Sequence, residues 1–83
     1  MNANFVEVFI ETNCNACAQV LNVINSFVDQ YRISLRVYDR KEHQSVFRDR
    51  SVMVCPATFV NNRLAFYGEF SSEELSRYLK SDG

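Results

Sequence analysis

From Asn4 to Glu11 the chain is almost continuously apolar, with Phe5, Val6, Val8, Phe9 and Ile10 interrupted by Glu7. A short run of β-branched and aromatic residues with so little polar relief predicts a strand covered on both faces. Thr12 and Asn13 break the run, and both are good helix N-caps. From Cys14 the period changes. Cys17, Val20, Leu21, Ile24, Phe27, Val28 and Tyr31 recur at spacings of three and four, which defines one apolar helix face. Gln19, Asn22, Asn25, Ser26 and Asp29 occupy the opposite face. Ile33 to Asp39 alternates apolar and other residues, predicting a second strand. Strand, helix, strand is a βαβ unit, so the two strands are expected to be parallel with a right-handed crossover.

The second half has shorter elements. Glu42 to Arg50 reads as a short helix with Val46 and Phe47 inward. Ala57 to Val60 and Leu64 to Tyr67 are strands joined by Asn61-Asn62, a pair that tolerates the positive φ angles of a tight hairpin turn. Gly68 ends the hairpin. Ser71 and Glu74 have the spacing of a capping box, and Leu75, Tyr78 and Leu79 give a final amphipathic helix. The order is βαβαββα, without repeats or linkers. The 83 residues are expected to form one domain, residues 1–83, around a single small core.

Composition narrows the function classes. Apolar residues at 47% and charged residues at 23% are globular values. The formal net charge of −1 offers no general basic footprint for nucleic acid. The local run Arg36, Arg40, Lys41, Arg48 and Arg50 reads as the solvated faces of a strand and a helix. No stretch nears the roughly 18 consecutive apolar residues of a membrane span, so no membrane partner is expected. No export signal is visible, and three cysteines are too few for a secreted disulfide scaffold. The expected location is the cytoplasm, where a close cysteine pair is more often catalytic or metal-binding than structural.

Cys14-Asn15-Ala16-Cys17 is such a pair. Alone it leaves three readings open: a disulfide, a metal site, or neither. Its place between the first strand and the first helix of a βαβ unit favours redox chemistry. Unpaired N–H groups and the positive dipole end favour a thiolate on Cys14, while Cys17 lies one turn further in on the apolar face. Cys14 would attack a disulfide and Cys17 would resolve the mixed disulfide.

The order of elements, the Cys14–Cys17 motif, the segment Val54-Cys55-Pro56-Ala57-Thr58-Phe59-Val60, and Asn61-Asn62 with Gly68 together resemble the thioredoxin-like family, at about the length of a glutaredoxin. The resemblance spans about residues 4–80. It implies a minimal thioredoxin fold, α/β, with a four-stranded mixed sheet flanked by three helices. It also implies a cis peptide before Pro56, packed beside the disulfide, and a Cys55 backbone that offers main-chain hydrogen bonds to an extended substrate. Catalysis would fall to Cys14 and Cys17 and substrate binding to Cys55 and Pro56, with no cofactor and no metal.

The chain departs from the family in four places. Where thioredoxins carry a buried acid, six positions before the motif, this sequence has Val8; Glu7 is expected to point to the opposite face. It has no tryptophan and no proline inside the motif. Only parts of the glutaredoxin glutathione site survive, with Asn13, Met53 to Pro56, and Gly68 to Ser71 in its place, so glutathione is not carried over. Cys55 is a third thiol at an unusual position. It is either a small apolar filler or a partner that converges with Cys14 and Cys17.

The expected function is a monomeric thiol-disulfide oxidoreductase that reduces protein disulfides in the cytosol and is recharged by an upstream thiol reductant. The alternatives are a module that binds a soft metal or metalloid through Cys14, Cys17 and Cys55, and a redox sensor or adaptor on the same fold.

Overall fold

The structure, a computed structural model, describes residues 4–28 and 30–79. Asp29, assigned above to the polar helix face, lies outside them. The elements are β1 (Asn4–Ile10), α1 (Asn15–Phe27), β2 (Ile33–Asp39), α2 (Gln44–Asp49), β3 (Ala57–Val60), β4 (Arg63–Tyr67) and α3 (Ser72–Ser76). The strands form one mixed sheet in the order β2-β1-β3-β4. β1 runs parallel to β2 and antiparallel to β3, which is antiparallel to β4.

β1 is hydrogen-bonded on both edges and covered on both faces, which accounts for its nearly unbroken apolar run. Val6 and Val8, fully buried, pack with Val20 and Ile24 of α1 and Leu75 of α3. Phe9 points the other way, into a cluster with Phe47 of α2, Val52 and Phe59. Glu7 shares that second face by strand alternation, as expected, yet only 2% of it is exposed. Its charge is met by Arg50, whose Nη2 donates to both carboxylate oxygens at 2.7 Å. The Tyr38 hydroxyl donates to the same carboxylate at 3.2 Å. Burial, with the adjacent Glu7 carboxylate, pushes the Tyr38 pKa up and keeps that proton in place.

Several boundaries differ from the sequence expectation, each for a local reason. β1 stops at Ile10, and Asn13, at φ 59°, turns the chain so that Cys14 becomes the N-cap of α1 rather than its first residue. α1 ends at Phe27, whose carbonyl accepts from the amides of both Gln30 and Tyr31 at 3.0 Å. Tyr31 therefore lies beyond the helix but still meets Phe27 edge-on, with centroids 5.2 Å apart. α2 begins only at Gln44 because Asp39 Oδ1 accepts from the amides of Lys41 at 2.9 Å and Glu42 at 3.3 Å, holding them in a turn.

α2 closes with two bonds, Ser51 N–H to Arg48 O at 3.1 Å and Val52 N–H to Phe47 O at 2.9 Å. This is a Schellman arrangement, with Ser51 in the left-handed region at φ 56°. The hairpin turn uses Asn61 and Asn62 at φ 51° and 70°, and β4 carries one extra residue, Ala65, at a bulge. Ser71 and Glu74 form the expected capping box. Tyr78, expected inward, is half exposed and lies against the Phe66 ring, centroids 4.9 Å apart. No helix among the described residues is long and apolar enough to cross a membrane.

Removing Arg50 would leave the Glu7 carboxylate buried without its cation, the costliest way to break such a pair. Arg50→Met is expected to lower unfolding stability by about 3 kcal/mol, measured by urea denaturation. Adding Glu7→Gln should recover much of the loss. Equal midpoints for wild type and Arg50→Met would show that the ion pair does not hold α2 to the sheet.

Candidate active site

The site is built where β1 ends and β3 begins. Phe9 near the end of β1 pairs with Ala57 at the start of β3. The antiparallel register therefore places the motif after β1 and Cys55–Pro56 before β3 at one end of the sheet. Cys14 adopts an extended N-cap conformation, and its Sγ accepts the Cys17 backbone N–H at 3.1 Å. Cys17 is 3% exposed, and the two residues are joined as a disulfide with Cα atoms 5.2 Å apart. The cap position usually held by a Ser, Thr or Asp oxygen is held here by sulfur. When the bond to Cys17 is opened, the same amide and the helix dipole favour negative charge on Cys14.

The Cys55–Pro56 peptide is cis, and Pro56 is buried. Gly68 N–H donates to the Pro56 carbonyl at 2.8 Å, which fixes the segment from the far strand of the hairpin. A Cβ at Gly68 would meet nothing within 4 Å, so it is the φ of 79° that calls for glycine there.

Cys55 is a free, half-buried thiol turned to Arg40, whose Nη2 lies 3.3 Å from its Sγ. Burial pushes the Cys55 thiol pKa up, and the Arg40 guanidinium partly offsets the rise. Among the described residues no group of three or more His, Cys, Asp or Glu side chains gathers to hold a metal ion. With Cys14 and Cys17 joined to each other, the Cys55 thiol is partnered by Arg40.

Arg40 also corrects the reading of the basic run as solvated surface. Its Nε donates to Glu11 at 3.1 Å and its Nη2 to the Met53 carbonyl at 3.1 Å. Its guanidinium carbon stands 4.9 Å from the Phe47 ring centroid. One side chain thus ties the end of β1, the loop before Pro56 and α2 together. Sequence reasoning missed it, because no local pattern marks contacts made 13 to 29 residues away.

Beneath α1, Val8 occupies the place of the absent acid, and Glu7 is committed to Arg50 on the other face. Thr58, directly across from Val8 and hence on the same face, is fully buried, with no partner for its Oγ1.

The family of thioredoxin domains matches the chain over residues 5–80. The chain belongs to the thioredoxin-domain family. Among solved structures, this thioredoxin domain is similar to a malarial protein, with 24% identity, a TM-score of 0.79 and 93% of each chain covered. It is also similar to thioredoxin-2, a component of the malaria parasite protein secretion machinery, at 25% identity and TM-score 0.76, over 89% of this chain and 78% of that one. The N-terminal domain of alkylhydroperoxide reductase AhpF from Enterococcus faecalis overlays with TM-score 0.84 at 15% identity, over 94% of this chain and 38% of that chain. No curated protein matches the sequence. The four-stranded mixed sheet with three helices is a minimal thioredoxin fold. With Cys14 and Cys17 at bonding distance, the domain supports a redox thiol–disulfide role.

In the oxidised protein Cys55 is the free thiol among the described residues. Its alkylation by iodoacetamide is expected to be slower at neutral pH than that of a free cysteine and to rise at higher pH. Arg40→Met removes the cation that favours the thiolate, so the pH midpoint should move further up. Mass spectrometry over a pH series measures both; a midpoint unmoved or lowered in Arg40→Met contradicts the assignment.

Proposed function

We propose that this protein is a thiol-disulfide oxidoreductase that reduces protein disulfides in the cytosol. The observation that carries the reading is Cys14 Sγ, placed at the N-cap of α1, accepting the Cys17 amide and bonded to the buried Cys17 sulfur. In the reduced protein, Cys14 thiolate attacks one sulfur of the target disulfide. A Cys14–target mixed disulfide forms and the second target sulfur leaves as thiolate. Cys17, after losing its proton, attacks Cys14 Sγ and expels the first target sulfur. Two electrons pass to the target and the pair is left as the Cys14–Cys17 disulfide.

Recharging needs an external thiol reductant. The family acid is replaced by Val8, so the Cys17 proton is proposed to leave to water rather than to a buried carboxylate. Cys55 and Pro56 present the strand that a target chain lies along, and Pro56, without an N–H, leaves main-chain pairing to Cys55.

Insulin reduction with dithiothreitol as electron source tests the roles. Cys14→Ser is expected to abolish turnover, whereas Cys17→Ser should accumulate a mixed disulfide visible as added mass. Full activity in Cys14→Ser would remove the proposal. The direction is read from the redox midpoint: a value near about −270 mV supports reduction of targets, and one near about −120 mV indicates oxidation of them.

A further inference from the structure

At the end of β2, against the loop that leads to Pro56, lies a cavity of about 340 Å³ that the exchange steps leave unused. Arg40, Gln44 and Arg48 contribute polar groups to its lining, and Phe47, Val52 and Met53 contribute apolar ones. The chain as a whole carries a net charge of −1, so two arginines at one hollow are a local feature. Arg40 is held rigidly: its Nε and Nη2 bond Glu11, the Met53 carbonyl and Cys55, while Nη1 has no such bond among the described residues. A guanidinium fixed in this way loses little freedom when its remaining donors meet an anion. Glu11 offsets part of the Arg40 charge. Arg48, exposed on α2, has no carboxylate partner among the described residues and supplies the net attraction.

Apolar surface borders the same hollow. Met53, which lines it, is 82% exposed, and Val54, between Met53 and Cys55, is 58% exposed. Because Arg40 bonds both the Met53 carbonyl and the Cys55 thiol, cavity wall and substrate loop are one unit. Met53, two residues before Cys55, itself lines the hollow, and two residues of extended chain span roughly 7 Å.

We infer that the cavity receives a Glu or Asp side chain of the target protein, a few residues from its disulfide, with an apolar neighbour laid on Met53 and Val54. The two guanidinium groups match a carboxylate, and the Phe47 and Val52 side chains match the stem that carries it. This inference deepens the reading of the pair as a protein-disulfide reductant and rests on it for the identity of the occupant.

The test uses two disulfide peptides that differ only by Glu or Gln near the cysteine. Wild type is expected to reduce the Glu peptide with about fivefold higher kcat/KM, the scale of one partly exposed charge-assisted contact. The preference should shrink in about 0.5 M salt and reverse in Arg48→Glu. The charge-matched control Arg63→Glu, at the start of β4, should retain it. Equal kcat/KM for the two peptides in wild type, or the same loss in both variants, overturns the inference. Fluorescence anisotropy of cysteine-free versions of the peptides on Cys14→Ser/Cys17→Ser protein reads the cavity without redox chemistry. Tighter Glu binding there, with neither disulfide peptide reduced, would uphold the cavity and reject the reductase; equal binding would reject the cavity.

Discussion

A strand with neighbours on both edges and both faces leaves almost no surface to water, and β1 is such a strand, with Phe5 and Ile10 alone partly exposed. Everything around it answers that requirement. Val6 and Val8 need an apolar cover, which α1 and α3 supply. Phe9 needs one on the other face, which Phe47, Val52 and Phe59 supply. Glu7 is the exception, a carboxylate at the centre of the sheet. It is tolerated because Arg50 and Tyr38 satisfy its oxygens. A charge placed there would destabilise the fold without them, so the ion pair also dictates where the end of α2 lies. Once α2 is fixed, Phe47 is in place for Arg40 to stack on, and the loop before Pro56 has its anchor.

The chemistry follows from strand ends rather than from any dedicated scaffold. The chain leaves β1, turns at Asn13 and starts a helix whose first free amides face Cys14. The antiparallel return of β3 begins beside it, behind Pro56, with Gly68 clasping the proline carbonyl. Sulfur, helix terminus and the Cys55–Pro56 segment thus meet at one rim. The face beneath α1 holds Val8 and the unpartnered hydroxyl of Thr58 where a carboxylate would sit in the thioredoxins this chain resembles. In the proposed reaction, attack by Cys14 would have local support from the Cys17 amide and the helix terminus, whereas Val8 offers the Cys17 proton no acceptor.

Features with a short sequence period were legible in advance. The three-and-four spacing from Cys17 to Phe27, the Asn61-Asn62 turn and the Ser71–Glu74 capping box each stem from contacts within a few residues, and each formed. The cysteine pair was legible for the same reason. Partners distant in sequence were not. Arg50 and Glu7 lie 43 positions apart, and Arg40 reaches both back to Glu11 and forward to Cys55. In the sequence Arg40 and Arg50 look like the other cations of the run, four arginines and Lys41, and only the sheet order decides which turn inward. The helix limits around Asp39 and Phe27 escaped because a single side chain or carbonyl outcompetes the helical pattern there.

The strand order β2-β1-β3-β4 also separates two kinds of change. The sulfur chemistry hangs from the two inner strands, whose amides are the last to exchange with solvent in a sheet of this kind. The arginine-lined hollow is made from the tip of an outer strand, a six-residue helix and a loop. Under the proposed roles, change at Gln44 or Arg48 of α2 would retune the hollow with the cysteine pair left in place, whereas change at Arg40 would reach Cys55 as well. If the hollow receives target proteins as proposed, α2 is the part of the fold on which their choice can shift.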